Sequence, residues 1–371
     1  MADGDSEPPA DVVAAKSTPD IEVIDDNLTG EKFREWRREQ QFRENLRDGN
    51  PEYNNGGYES SELRHSPHTL LQCRRKQWYR ENTAPQETES PDGIFSIGSW
   101  IEESIIEPWI AGLAQENGGF VANSLWLSST ICTEVGELTL EGSSDPAIVN
   151  SDGIPRAITE VKSKQSLSNL SSPSTHHKAQ LHAYLHNARE KYDLADYPQG
   201  YLIYVGRKRL DVQVFSVDFV AEFFEDVVLD WCKRMSYCRI EGMLPAADPE
   251  QSWECKLCEY RGRCGNYDGG ERDLPWEDCS VDGLLPLFSY PKGSVIDYMR
   301  AHPDDQITPT VATEHPGLAE VYEVADWQCS RCNNCFKWDS VQWEGNVDDP
   351  PICPDCIDDS YRIDLSGPAP Q

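Results

Sequence analysis

"ITEVKSK", residues 158–164, decides how the rest of this 371-residue chain is read. The stretch reads as a strand, and residues two apart on a strand share a face, so Glu160 and Lys162 project together. Such a pair is either an ordinary exposed ion pair, worth about 0–1 kcal/mol, or part of a metal site. Its surroundings favour the second. "DPAIVNSDGIPRAITEVKS" (145–163) reads as a hairpin turning at Ser151-Asp152-Gly153. Asp145, just after Gly142-Ser143-Ser144, then enters the strand beside the one that carries Glu160. The two carboxylates can converge on a hard cation such as Mg²⁺ or Mn²⁺, which takes oxygen ligands and keeps several waters. A lysine beside that cation is disfavoured unless it has work to do. Orienting a water and helping to deprotonate it for attack on phosphorus is such work. Eighteen residues after Lys162, Gln180 and Tyr184 stand at i and i+4 of a helix and share a face.

Outward from this hairpin the pattern is mixed α/β. Amphipathic helices cover "SPHTLLQCRRKQWYREN" and "IFSIGSWIEESIIEPWIAGLAQENG", the second stopped by Gly118-Gly119. "LWLSSTICTEVGELTLEG" is one or two strands, "HHKAQLHAYLHNAREKY" a helix, "QGYLIYVGRKRLDVQVFSV" a hairpin and "DFVAEFFEDVVLDWCKRMSYCRIEG" a long helix. Residues 1–27 read as disordered, and 30–50 as a charged helix with few apolar anchors. His176, His177, His182 and His186 crowd one helix and read as polar surface residues. No GxxxxGK[ST] occurs, so no P-loop ATPase is expected.

The charge balance is extreme, with 33 Lys plus Arg against 65 Asp plus Glu, net −32. Such an excess means self-repulsion within the chain and poor attraction to nucleic acid. Spread along the chain, it resembles the proteins of organisms with molar cytoplasmic salt, where the Debye length is only about 3 Å. The middle section is the least acidic per residue, and its cations cluster as Arg74-Arg75-Lys76, Arg207-Lys208-Arg209 and Arg261/Arg263. A phosphate-binding surface belongs there. An acidic N-terminus without a basic start or apolar run, and no long apolar stretch, point to a cytoplasmic protein away from membranes.

Thirteen cysteines exceed what free thiols explain. "CKLCEYRGRC" supplies Cys255, Cys258 and Cys264. A four-ligand centre needs one more, and Cys73 in "LLQCRRKQWYR" is the best candidate. "CSRCNNC" and "CPDC" form two knuckles of a zinc ribbon. Cys329, Cys332, Cys353 and Cys356 are the preferred ligands, with Cys335 the alternative. Cys132, Cys232, Cys238 and Cys279 read as inert thiols.

In combination, GxxD (142–145), ExK (160–162) and QxxxY (180–184) resemble the RecB-type branch of the PD-(D/E)XK nuclease superfamily. One cysteine in "CRRKQWY" before that core and C-x2-C-x5-C after it resemble the CRISPR-associated Cas-four exonucleases and related RecB-like enzymes. The resemblance covers about 60–265. It implies a restriction-endonuclease-like mixed sheet core flanked by helices. Asp145, Glu160 and the Val161 carbonyl would hold Mg²⁺ or Mn²⁺, Lys162 would activate water, Gln180 would steady the lysine and Tyr184 would line the DNA path. Where these families carry a metal-binding histidine, Gly98-Ser-Trp-Ile-Glu102 places a glutamate, with Glu103 the alternative in a shifted register. The resemblance also implies a [4Fe–4S] cluster on Cys73, Cys255, Cys258 and Cys264, although spacing alone also admits zinc.

The expected organisation is an acidic tail and charged helix (1–50), a nuclease domain (51–265), an acidic linker (266–325), a zinc ribbon (326–360) and a tail (361–371). The expected partners are DNA, met at single-stranded ends through Arg74, Arg75, Lys76 and Tyr184, and a protein docked on the ribbon. Expected settings are CRISPR adaptation or DNA repair, recombination or replication. The rival reading is a non-catalytic DNA- or partner-binding protein that keeps the fold, for which Glu102 is the sequence support.

Overall fold

A computed structural model describes residues 61–88, 92–265, 283–346, 349–357 and 362–367, with scattered positions between 28 and 43. The chain divides into two units, Met1–Gly56 and Gly57–Gln371. In the first, the described positions from Gly30 to Arg43 are helical, with the Phe33 and Trp36 rings stacked at 5.9 Å. The stretch expected to be disordered, 1–27, lies outside the described residues.

The second unit is built on the hairpin that the sequence announces. Strand β5 (Ala147–Val149) pairs antiparallel with β6 (Pro155–Lys164). Between them the Asn150 side chain accepts hydrogen bonds from the Asp152 and Ile154 amides at 3.0 and 2.9 Å. Gly153 takes φ +75°, a conformation suited to glycine. A crossover through helix α3 (Thr175–Lys191), its N-terminus capped by Ser174, lays β7 (Gln199–Gly206) parallel to β6. Strand β8 (Asp211–Val217) folds back on β7, and β2 (Phe120–Ala122) closes the far edge on β5. The five strands lie in the order β2-β5-β6-β7-β8. A smaller sheet orders β1 (Arg64–His65), β4 (Gly136–Ser143) and β3 (Trp126–Thr133) as β1-β4-β3.

Alternation along β6 and β7 gives the main sheet two apolar faces. Val161, Ile203 and Val205 face Ile101, Ile106 and Ile110 of helix α2, which runs Asp92–Ile101, widens to a π turn over Glu102–Ile106 and continues through Glu107–Glu116. Ile158, Leu202 and Tyr204 pack with Leu181, Tyr184 and Leu185 of α3. Each fully buried aliphatic side chain contributes about 1.5–3 kcal/mol. Gly200 permits the close approach of α3. A Cβ there would lie 2.6 Å from the Val217 carbonyl and 3.0 Å from Leu181 and Leu185. The result is the restriction-endonuclease-like mixed sheet between helices. A further helix, α4 (Ala221–Glu241 with a π turn at Phe224–Leu229), packs Phe224, Val228, Trp231 and Met235 against Leu138 and Leu140 of the smaller sheet.

Three expectations change here. From Gly283 the supposed linker is a packed helical region. Helices Lys292–Ala301, Pro309–Glu314 and Pro316–Ala319 share a core of Leu285, Tyr290, Val295, Tyr298, Ile307 and Val311; residues 266–282 lie outside the description. The C-terminal sheet is also longer than the expected ribbon. Strand β9 (Trp327–Cys329) pairs with β10 (Cys335–Phe336) and with β11 (Leu365–Ser366), so the supposed tail supplies a strand. Finally, of the histidines of α3, His182 is not a surface group and the others are only partly exposed. His182 is buried, donates from Nδ1 to the Lys178 carbonyl and accepts the Val220 amide at Nε2, while His186 stacks on Phe224 at 4.4 Å. Among the described residues no helix is long and apolar enough to cross a membrane.

Candidate active site

Asp145 leads into β5 and Glu160 sits in the middle of β6, so the hairpin register brings them together. Asp145 Oδ2 accepts the Val161 amide at 2.6 Å. Glu160 is 1% exposed. Its Oε1 is ion-paired with Lys162 Nζ, while Oε2 is buried with no hydrogen-bond donor among the described residues. Glu102 opens the π turn of α2 half-buried, and Glu103 beside it is exposed. Glu102 and Glu160 each feel the charges of Asp145 and Lys162. Three carboxylates therefore lie within electrostatic reach of one lysine, and Glu160 is the one paired with it.

The electrostatics follow from that arrangement. Burial first, then the charge of Asp145, pushes Glu160 up to about 8 against the opposing pull of Lys162. The same two causes push Glu102 up to about 8. Asp145 is also raised, by burial. Burial alone would depress Lys162, but Glu160 and Asp145 outweigh it and the net direction is upward. A buried carboxylate oxygen without a donor among the described residues, on an acid that Asp145 and Glu102 both push upward, fits a cation site made of hard oxygen ligands. Glu102, Asp145 and Glu160 are the residues able to hold it.

Gln180 and Tyr184 lie beneath this cluster. Tyr184 is 3% exposed and donates to the Ser143 carbonyl at 2.6 Å, with the Gln180 side chain bonded to its hydroxyl. It braces the Gly142–Asp145 turn against α3 and does not line an open path. Sequence reasoning missed Tyr204, which pairs with Lys162 across the β6–β7 register and shares a 2.8 Å hydrogen bond with His177 Nδ1. Burial and then the Lys162 charge hold His177 down to about 2. A tyrosine aligned with the lysine on the next strand is visible only once the strands are paired.

The basic triplet before the core is engaged in structure. Arg74 pairs with Asp248 at 2.6 Å, Arg75 donates to the Pro245 carbonyl at 2.8 Å, and Lys76 pairs with Glu259 at 2.9 Å. Arg263 is fully buried and donates to the Gly283 carbonyl. These side chains tie α1 (Arg74–Glu81) and the helical turn α5 (Arg261–Cys264) to their surroundings. Arg74, Arg75 and Lys76, expected to meet DNA, are thus engaged within the protein.

Two cysteine groups differ in geometry. Cys73, Cys255, Cys258 and Cys264 all line one cavity of about 330 Å³, with His176 and Trp253 also on its wall. Cys329, Cys332, Cys353 and Cys356 instead draw together until their sulfurs lie within 4.8 Å of one another. The Cys329–Cys356 and Cys332–Cys353 sulfurs are each 3.8 Å apart. A tetrahedron with Zn–S bonds of about 2.3 Å has an edge of about 3.8 Å, so this group has the dimensions of a single zinc centre. Cys335 stands exposed on β10, outside the group. Cys279 lies outside the described residues.

The family model of the PD-(D/E)XK nuclease superfamily matches residues 19–265. Among solved structures, the chain is similar to one titled "Crystal structure of SSO0001", at 18% identity and a TM-score of 0.40, covering 62% of this chain and 93% of that one. No curated protein matches the sequence.

Proposed function

Because the chain belongs to the PD-(D/E)XK nuclease superfamily, whose members are generally phosphodiesterases, we propose that it is a divalent-metal-dependent DNA exonuclease of the RecB and Cas-four type. The observation that carries this reading is Glu160, paired with Lys162 through Oε1 and buried at Oε2 with no donor among the described residues, in the electrostatic reach of Asp145 and Glu102. Mg²⁺ or Mn²⁺ held by these carboxylates and the Val161 carbonyl would polarise the scissile phosphate and make water acidic. Glu160 fixes the Lys162 ammonium at the site, where it orients the attacking water and faces the charge that grows on phosphorus. Asp145 is held by the Val161 amide, and Tyr184 with Gln180 keeps the Asp145 turn in place.

The four cysteines around one cavity support a [4Fe–4S] cluster on Cys73, Cys255, Cys258 and Cys264. In a cubane each sulfur binds a different iron, so the thiolates stand farther apart than around one zinc ion. The tight C-terminal group supports zinc on Cys329, Cys332, Cys353 and Cys356. We read this C-terminal region as a docking element for a protein partner. The acid excess of −32 supports work at high salt. Single-stranded ends are the proposed substrate, in CRISPR adaptation or in DNA repair, recombination or replication.

The test compares wild type with Lys162→Ala on end-labelled single-stranded DNA in molar potassium chloride with Mn²⁺. Loss of roughly 10²–10⁴-fold in rate is expected, the range for removing a group that handles the attacking water. Metal-independent cleavage, or a Lys162→Ala enzyme as fast as wild type, overturns the reading. DNA binding without any cleavage points to a non-catalytic module.

A further inference from the structure

Beyond the last β6–β7 pair, Lys164 with Gly206, the two strands stay bonded. The Arg207 amide donates to the Lys164 carbonyl at 2.7 Å, and the Lys208 amide to the Gln165 carbonyl at 3.2 Å. The tight β7–β8 turn, Arg207-Lys208-Arg209, is thereby fastened to the end of the strand that carries Glu160 and Lys162. It is closed by the Leu210 amide on the Gly206 carbonyl at 2.7 Å, with Leu210 at φ +55°. Its cationic heads thus project from a fixed turn.

Alternation puts Lys164 on the same face as Lys162, about 6.6 Å further along the strand. Its ammonium lies 5.5 Å from the centre of the Tyr204 ring, and Tyr204 is the cross-strand neighbour of Lys162. Lys208 and Arg209 are exposed. Among the described residues, none of Lys164, Arg207, Lys208 and Arg209 forms an ion pair with a carboxylate, in contrast to Arg74 and Lys76. The nearest acid in sequence, Asp211, lies against Gly206, where a Cβ would meet its carboxylate. In a chain of net charge −32, four cations without an ion pair among the described residues, at the end of the strand that carries Glu160 and Lys162, are placed to offset the repulsion an incoming phosphate would meet there.

We propose that Lys164 and the Arg207-Lys208-Arg209 turn form the surface that grips the phosphate backbone of the DNA strand entering the catalytic site. The identity of the strand as DNA rests on the nuclease reading. Guanidinium forks and ammonium groups are the chemistry for phosphate oxygens. Contact of this kind carries no base preference and weakens as salt rises.

The test uses the full chain carrying Lys162→Ala, so that bound DNA stays intact. It measures anisotropy of a fluorescein-labelled single-stranded oligodeoxynucleotide over a series of potassium chloride concentrations. Changing Arg207, Lys208 and Arg209 together to Gln is expected to weaken binding ~10-fold and to reduce the salt slope by about 2, since each lost single-strand phosphate contact removes about 0.7. Reversal of all three to Glu should weaken it further. The Gln triple variant keeps the test decisive if the Glu variant fails to fold. Unchanged affinity and slope in a folded Gln variant, or no DNA binding by the Lys162→Ala parent, overturns the proposal. Binding that depends on the turn, in a chain that never cleaves with Mn²⁺ when Lys162 is intact, would leave this surface standing and remove the nuclease reading alone.

Discussion

Lys162 Nζ is paired with Glu160 Oε1, while Oε2 of the same carboxylate is buried with no hydrogen-bond donor among the described residues. One lysine thus lies in the field of three acids, Glu102, Asp145 and Glu160, and that imbalance is the physical mark of a cation site at this hairpin. Functional sites store unfavourable electrostatics of this kind.

A substitution that removes the imbalance should separate stability from activity. Glu160→Gln is expected to abolish cleavage without lowering the melting temperature of the metal-free protein. It should also remove most of the stabilisation that Mg²⁺ or Mn²⁺ gives wild type, which is about 2.7 kcal/mol at a cation concentration a hundredfold above Kd. Thermal melts with and without cation read both effects. A preserved cation shift in Glu160→Gln would show that the ion binds elsewhere.

The raised carboxyls set the pH dependence. Glu102 and Glu160 are held up to about 8 in the folded chain, chiefly by burial and next by Asp145, against about 4.3 when unfolded. Between those values the folded state binds more protons than the unfolded state, so stability falls as pH rises. Metal-free protein should therefore melt at progressively lower temperature from pH 5 to pH 8, and saturating Mg²⁺ should flatten the trend. Because cation and protons compete for the same oxygens, Mg²⁺ affinity should rise over the same window. A metal-free melting temperature that climbs towards pH 8 would contradict the burial of these acids.

The sheet core was legible in the sequence because its signals are local. The β5–β6 hairpin follows from Asn150 to Gly153, and the i, i+4 pair on α3 follows from helical spacing. The region after 283 was not legible. Its core is built from tyrosines and short helices opened by prolines, such as Tyr290, Tyr298 and Pro309, set among Asp, Gly and Pro that read as a linker. The role of Arg74 was hidden for a different reason. Its partner, Asp248, is 174 residues away, and no local pattern distinguishes a paired arginine from a free one.

That pairing makes Arg74 a structural residue. It reaches Asp248 through its Nε at 2.7 Å and through its backbone amide at 3.0 Å. Arg74→Ala should cost about 1–3 kcal/mol, the range for losing hydrogen bonds to a charged group that is partly buried. It should leave the salt slope of DNA binding unchanged. A slope reduced as in the turn variants, with stability intact, would return Arg74 to the DNA surface.

The two cysteine groups should respond independently to substitution, because the sulfurs of Cys329, Cys332, Cys353 and Cys356 meet in one tight group while Cys73, Cys255, Cys258 and Cys264 are spread around a cavity, and a cluster is proposed for the second where zinc is proposed for the first. Cys73→Ser is expected to remove the brown colour of protein purified without oxygen while leaving one zinc per chain. Cys332→Ser should do the reverse, losing the zinc and loosening the β9–β10–β11 sheet while the colour stays. Cys335→Ser should change neither, since Cys335 stands exposed outside the group in which the other four sulfurs meet. Iron and zinc analysis of the three variants, alongside their visible spectra, reads all of these outcomes. Two zinc ions and no iron in the wild-type chain would assign zinc to both centres. The cavity around Cys73, Cys255, Cys258 and Cys264 would then have to close on its ion, since sulfurs shared by one zinc must come to about 3.8 Å.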